Sequence, residues 1–441
     1  MAALPLIRHT SPDSVFGYRG GRPVSVAQFL GDVAQLARAL PDQRYILNLC
    51  TDRYRFVVGF AAALLRGQVS LLPPNYTPSF VERLGQSHPG MYCLVDGAAG
   101  FPGIEVMYYP QLPEVAVREV PVVEETQRAA LVFTSGSTGD PVAHPKSWGS
   151  LCRGAAAEAQ SLGIAPHSGL AVLGTVPAQH MYGLESCMLL AMQNGLALVA
   201  ERPFYPADIC AQLAALPQPR CLVTTPVHLR NLLSGVSQLP AIDFVLCATA
   251  HLAPQLAAES EARFNAPLYE IYGCTEAGMV ASRRTTAGAA WRLLPGVEMR
   301  QDEHGMRVHG GHVEIEAPLS DVIERAADGT FTLHGRTADL VNIAGKRTSL
   351  ASLNHHLNAI AGVQDGVFLM PDDSDGSMQR PLAFVVAPGL HSRDILDALR
   401  NSVDAVFLPR PLYFVEALPR SATGKITRAA LLQLMEQCAK K

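Results

Sequence analysis

Charge is scarce in this chain. Asp, Glu, Lys and Arg make up 17% of its 441 residues, below the roughly one quarter usual in globular proteins. The two signs nearly cancel, with 39 acidic and 35 basic residues for a net charge of −4. No basic run is present, so the electrostatic footprint that nucleic acid or an anionic membrane surface requires is missing. The nine cysteines never fall in a C-x-x-C pair, which argues against thiolate zinc sites and small disulfide frameworks. Apolar runs such as residues 57–65 stop at Arg66, far short of the ~20 residues that span a bilayer. Residues 1–14 lack the charged and long apolar regions of a secretory signal. A soluble, cytoplasmic protein with no membrane span is expected.

Apolar residues make up 48% of the chain, enough for a large core and against disorder. At roughly 100–200 residues per domain, two to four units fit. Residues 45–50 read as a buried strand, 53–66 as a helix and 69–72 as the next strand before Pro73-Pro74. This is a βαβ unit. The same rhythm returns at 170–173, 197–199, 221–224 and 245–247, which predicts an α/β sheet covered on both faces. After about residue 295 the pattern changes. Residues 306–309 and 312–316, joined by Gly310-Gly311, predict a β-hairpin, and 329–333 a further strand. Past Arg336 the pattern predicts a small α+β unit, with helices over 352–361, near 393–407 and at the C-terminus, and strands over 366–370 and 381–386. The expected division is 1–336 and 337–441, with the boundary at 335–339.

Four stretches carry candidate chemistry. Thr134-Ser135-Gly136-Ser137-Thr138-Gly139-Asp140-Pro141 follows the strand-like residues 129–133. Its glycines let the backbone approach a ligand, and its hydroxyls and N–H groups suit phosphate oxygens. It is not a Walker A loop, since no Gly-Lys-Ser/Thr completes it; alone, it reads as a polar turn. Tyr272-Gly273-Cys274-Thr275-Glu276 follows the strand-like residues 268–271 and brings together a ring that can stack on a base, a hydroxyl for phosphate and a carboxylate for Mg²⁺. Alone, these residues read as a core tyrosine and a solvated glutamate. Arg336 and Arg347 add guanidinium groups, and Lys425 precedes a helix-like run. His304, His309 and His312 fall in the predicted hairpin, where exposed strand histidines are the plainer reading and a metal cluster the weaker one.

In this order, the four motifs resemble the adenylate-forming superfamily of acyl- and aryl-CoA synthetases, adenylation domains and luciferase-like enzymes, from about residue 20 to the C-terminal helix. Residues 133–148 look most like the small bacterial ligases that load aromatic acids in aryl-polyene pigment pathways. The resemblance implies an α/β fold: a large N-terminal ATP- and acid-binding domain with βαβ sheets and a β-rich part, and a small mobile α+β C-terminal domain. It also implies roles. Thr134, Ser135, Gly136, Ser137, Thr138 and Gly139 would clasp the phosphates of ATP, Glu276 would bind Mg²⁺, and Thr275 would contact the α-phosphate. Tyr272, with Gly273 beside it, and the backbone of Ala248, Thr249 and Ala250 would face adenine. Asp321 and Arg336 would hold the ribose, Arg347 would meet phosphate, and Lys425 would bridge the acid's carboxylate and the α-phosphate. Gln179 and His180 lie in the segment bordering the acid, Thr225 opens a helix lining its pocket, and His251 could bind a ring hydroxyl. A core histidine held by backbone is the plainer reading of His251.

Two positions depart from the family pattern. The usual loop lysine is replaced by Val142, and Lys146 is expected to substitute from a longer loop. The usual charged hinge residue is Ala338. The activity implied is an AMP-forming acid–thiol ligation with ATP and Mg²⁺ as cofactors, on a hydroxylated aromatic acid of hydroxybenzoate or hydroxycinnamate size. No carrier-domain serine motif is present, so coenzyme A or an acyl carrier protein would accept the acyl group in trans. A catalytically inactive nucleotide-binding homologue, a medium-chain fatty acyl-CoA synthetase and luciferase-like oxidation are the alternatives.

Overall fold

Strands without polar alternation need cover on both faces, and Val69–Leu72, Tyr92–Val95, Ala171–Gly174 and Phe244–Cys247 are buried at every residue. The computed structural model describes residues 2–73, 76–97, 100–135, 141–303, 305–336, 340–343, 346–371, 380–421 and 426–439. It arranges these strands in two sheets. A six-stranded sheet runs Pro141–Ser147, Arg128–Ser135, Val69–Leu72, Tyr45–Asn48, Tyr92–Val95, Glu105–Tyr108. All its neighbours are parallel except the first pair, which is a hairpin. A nine-stranded sheet carries Leu268–Cys274, Phe244–Cys247, Arg220–Thr224, Ala171–Gly174 and Ala197–Val199 as a parallel interior. The predicted βαβ unit is present, since Tyr45–Asn48 and Val69–Leu72 pair in parallel around the helix Arg53–Leu65.

That helix is buried on nearly every side, as a helix between two layers must be. Asp52 caps it, accepting a hydrogen bond from the Arg55 N–H at 3.0 Å. Arg53, its first residue, is 2% exposed. Its guanidinium donates to the carbonyls of Gly174, Val176, Val199 and Glu201 at 2.7–3.0 Å. A helix belonging to the six-stranded sheet is thereby tied to the ends of two strands of the other sheet.

The β-rich part holds the predicted hairpin as Gly305–Gly310 and Val313–Leu319, joined to Glu298–Asp302. Gly310 and Gly311 take φ of 80° and 58°, the left-handed turn that other residues adopt at a cost. The strand expected over 329–333 lies later, at Phe331–Arg336. Asp328 delays it by accepting hydrogen bonds from the Thr330 N–H and hydroxyl at 3.0 and 2.7 Å, which makes 328–330 a turn.

The small domain has hydrophobic clusters of its own. The helices Leu350–Asn358, Ser392–Arg400 and Arg428–Ala439 accompany a sheet of Asp365–Leu369, Leu382–Val386 and Leu412–Phe414. The single helix expected near 393–407 is two elements. Ser392–Arg400 ends, and a separate 3₁₀ turn, Ala405–Phe407, starts where the Asp404 carboxylate accepts from the Val406 N–H at 3.2 Å. Among the described residues, contacts between the small domain and the large one include a hydrogen bond from the Ser349 hydroxyl to the His334 carbonyl at 2.8 Å and two side-chain pairs. Asp365, bidentate with Arg420 at 2.8 Å, also lies 3.7 Å from Arg230, and His251 Nε2 stands 3.3 Å from His355 Nδ1. Among the described residues no helix is long and apolar enough to cross a membrane.

Replacing Arg53 with methionine keeps the bulk and leaves four strand-end carbonyls without their donor. The expected loss is about 2–4 kcal/mol of stability, read as a lower urea midpoint; an unchanged midpoint would show that Arg53 does not hold the two sheets together.

Candidate functional site

The site is built where the edge hairpin of one sheet meets a hairpin of the other. In the first, Thr134 stands opposite Val142. The Thr134 hydroxyl and His144 Nε2 are 3.0 Å apart. His144 and Lys146 alternate along one strand and therefore share a face. The Lys146 ammonium, on a residue 5% exposed, donates to the Glu276 carbonyl at 2.7 Å, and His144 Nε2 lies 3.9 Å from Glu276 Oε1. Burial holds both basic groups below their ordinary pKa ranges, against the pull of Glu185 on Lys146 and of Glu276 on His144.

The second hairpin explains how Glu276 comes to face them. The strand expected to end at residue 271 continues to Cys274 and returns as Gly278–Arg284, with a bulge at Tyr272/Gly273. The strands approach so closely that a Cβ on Gly273 would stand 2.3 Å from the Gly278 oxygen. Gly278 itself takes φ of 81°. Thr275 and Glu276 sit half-buried in the turn between the two strands. On the same strand, the Tyr272 hydroxyl donates to Asp321 Oδ2 at 2.6 Å, and its ring packs against Trp291 and Phe331. Asp321 is the ladder partner of Arg336, so the two candidate ribose residues are neighbours across a strand pair. Next to these strands, Ala248 is buried and Thr249 and Ala250 are half-buried. Thr249 has φ of 83°, an uncommon backbone state that costs of order 1 kcal/mol or more and tends to persist at ligand sites.

The four candidates for the acid come from three stretches of the chain. Gln179 lines a cavity of about 330 Å³ with Asn48, Thr51, Arg53, Tyr76 and Phe101. His180 precedes the short turn Met181–Gly183. Thr225 is fully buried and caps the helix Pro226–Gly235, as expected of a helix opener, with its hydroxyl 3.0 Å from His228 Nδ1. His251 faces His355 of the small domain. Lys146 is not on a longer loop but on the strand Pro141–Ser147, because the chain pairs with Arg128–Ser135 as soon as it leaves residue 140. Ser135 lies on its strand and Arg347 on the strand Lys346–Ser349. Gly136, Ser137, Thr138, Gly139, Ala338 and Lys425 lie outside the described residues.

Among the described residues, the hairpin histidines His309 and His312 belong to no cluster of metal-ligating side chains. His312 is 3% exposed rather than an exposed strand residue, and its Nε2 lies 2.6 Å from the Met279 carbonyl; burial pushes its pKa down to about 4. His304 lies outside the described residues, and among those described no three His, Cys, Asp or Glu side chains converge. Glu276 shares the pocket beside His144 and Lys146 with Glu314 and Glu316, and among the described residues no cage of metal ligands surrounds it, which suits a Mg²⁺ ion held mainly by phosphates and water. Two residues escaped the sequence reading. His144 sits inside the motif stretch but looks like surface. Glu185 is a charge in the otherwise apolar and small segment 184–191, a signal that could have marked it. Its carboxyl is buried beside Gly278, and burial pushes its pKa up to about 7.

Comparison with known proteins places the chain in a family and a fold. Residues 9–314 match the AMP-binding enzyme family and residues 357–425 the AMP-binding enzyme C-terminal domain. A 4-coumarate–CoA ligase of Rhodobacter capsulatus is 30% identical over 306 residues, covering 68% of this chain and 75% of that protein. A 4-chlorobenzoate–CoA ligase of a Pseudomonas species is 27% identical over 372 residues, covering 73% and 69%. The solved structure of O-succinylbenzoate coenzyme A synthetase from Bacillus subtilis, in complex with ATP and magnesium ion, superposes with a TM-score of 0.82 at 17% identity over 95% of this chain and 97% of that one. With two family matches on the two domains that the fold separates, the chain belongs to the AMP-binding enzymes, a family of AMP-forming acid–thiol ligases.

Proposed function

We propose that this protein activates a hydroxylated aromatic acid with ATP and passes it to a phosphopantetheine thiol. The observation that carries the reading is the convergence of Thr134, His144, Lys146 and Glu276 where the two hairpins meet, with Tyr272 and Asp321 hydrogen-bonded on the adjoining strands. Hydroxyl, carboxylate and aromatic groups then stand in the order that phosphates, ribose and adenine need. Names of relatives point to the acid, since 4-coumarate and 4-chlorobenzoate ligases are both aryl ligases. The likeness of residues 133–148 to aryl-polyene ligases supports a ring hydroxyl and a free-standing carrier protein as acceptor. Coenzyme A, named in the relatives, is the other acceptor of the same chemistry.

In the first step a carboxylate oxygen of the acid bonds to the α-phosphorus as the bond to the β-phosphate oxygen breaks, releasing pyrophosphate. In the second the thiol sulfur bonds to the acyl carbon, loses its proton, and AMP departs. The obstacle in the first step is an anion attacking an anion, so positive charge must be placed where negative charge gathers. Mg²⁺ supplies part of that neutralisation when bound. Of this chain's own groups, Glu276 would hold the ion, Thr134 and the residues up to Gly139 would hold the phosphates, and Thr275 the α-phosphate. Asp321 and Arg336 would orient the ribose, and Lys425 and Arg347 would bring charge from the small domain. The domains are read as 1–336 and 337–441, turning about 335–339, where Gly335 has φ of 104°. A catalytically inactive nucleotide-binding homologue is the second reading, favoured by one observation: the Lys146 nitrogen is engaged with the Glu276 carbonyl while Val142 occupies the usual lysine position.

Three outcomes are expected. Glu276→Gln should fold as the parent does and lose adenylation by roughly 10²–10³-fold, the scale for one preorganised electrostatic contact; parental pyrophosphate release would remove Glu276 from the metal role. Hydroxybenzoic or hydroxycinnamic acids should outpace fatty acids in pyrophosphate release, because a site that hydrogen-bonds a substrate hydroxyl rejects analogues lacking it. Faster turnover of an octanoate- or palmitate-like chain would contradict the aromatic assignment. Lys425→Ala should lose adenylation on the same scale yet still form thioester from supplied acyl-AMP, whereas equal losses in both half-reactions would contradict the domain rotation.

A further inference from the structure

Lys146 and His144 do something other than replace the missing loop lysine. They are consecutive residues on one face of an edge strand, and both reach the same turn of a different sheet. Lys146 holds the turn by its main chain, through the 2.7 Å hydrogen bond to the Glu276 carbonyl. His144 stands between the Glu276 carboxylate, at 3.9 Å, and the Thr134 hydroxyl, at 3.0 Å. The Lys146 side chain is enclosed, with Glu185 among the carboxylates around it, so its ammonium cannot swing out to a phosphate without breaking a buried hydrogen bond. Buried charges that keep a backbone partner fix geometry, and their loss leaves the partner unsatisfied.

We infer that His144 and Lys146 are positioning residues that fix the Glu276 carboxylate relative to the Thr134 hydroxyl, so that metal-bound polyphosphate is gripped from both sides. This rests on the reading that Glu276 and Thr134 serve ATP. Val142 then needs no lysine substitute: the strand that lacks a cation for phosphate carries two side chains that hold the groups that do meet it. Supporting residues of this kind are worth about 10–100-fold in metal affinity or activity in other proteins.

The test is nucleotide binding by calorimetry, with AMP and with ATP in excess Mg²⁺, on the unmodified protein and on His144→Leu, His144→Gln and Lys146→Met. AMP lacks the β- and γ-phosphates and the metal they hold, so it reports the adenine and ribose contacts and an intact fold. The expected result is that His144→Leu and Lys146→Met weaken Mg-ATP by about 10-fold or more with AMP affinity changed less than about 2-fold. His144→Gln, whose amide can keep the Thr134 hydrogen bond, should recover most of the loss. Mg-ATP affinity equal to the parent's in both His144→Leu and Lys146→Met would overturn the inference while leaving the function standing. Parallel loss of AMP and Mg-ATP in both variants would also overturn it, in favour of a general packing role. If the unmodified protein binds AMP but not Mg-ATP, or neither, the proposed function fails and the inference with it.

Discussion

The approach of two strands around Gly273 and Gly278 is the constraint on which the site depends. With no side chain at 273, the strands close to a distance that a Cβ would forbid, and the turn between them has one place to go. Glu276 in that turn meets the edge hairpin of the other sheet, where the Lys146 ammonium donates to its carbonyl. The same strand sets Tyr272, whose hydroxyl fixes Asp321. A substitution at 273 would therefore disturb groups assigned to metal, phosphate and ribose together.

Holding those groups in register requires the two sheets themselves to be fixed. Arg53 does this from a buried position, by joining a helix of one sheet to the strand ends of the other through main-chain carbonyls. Its hydrogen bonds go to main-chain carbonyls, so the tie depends on strand-end backbone rather than on another side chain. The small domain, by contrast, touches the large one through Arg230 and Asp365 and through His251 and His355. Polar contacts of this sort are readily exchanged, which suits a domain that the mechanism asks to turn.

Much of the architecture was legible in the sequence because strands buried on both faces leave uninterrupted apolar runs, and residues 45–72 announce a βαβ unit without any tertiary knowledge. The hairpin at Gly310-Gly311 was legible for a different reason, since left-handed turn residues are few. The misplaced elements share one cause. The late start of the strand Phe331–Arg336 and the separate turn Ala405–Phe407 each follow an aspartate that accepts from a backbone N–H just ahead of it, a local competition that periodicity does not register. At the site, two short motif stretches singled out Thr134, Tyr272 and Glu276 as candidates, and the spacing before Asp328-Gly329 singled out Asp321; the fold places Tyr272 on Asp321 and Thr134 and Glu276 on either side of His144. His144 and Lys146 were not legible in their observed role. Glu276, which both of them reach, lies more than a hundred residues away, and only the meeting of the two hairpins reveals it. Thr225 shows the converse, for its hydroxyl looks available in sequence and is closed inside the fold.

Reversible activation of an acid at this site is the step on which the proposed function depends. Exchange of labelled pyrophosphate into ATP measures that step alone, without any thiol acceptor. It should appear only when a hydroxylated aromatic acid and Mg²⁺ are both supplied, and vanish when either is withheld. Binding of ATP with no acid-dependent exchange, across benzoic, hydroxybenzoic, cinnamic and fatty acids, would contradict the central claim and leave a nucleotide-binding protein without ligase chemistry.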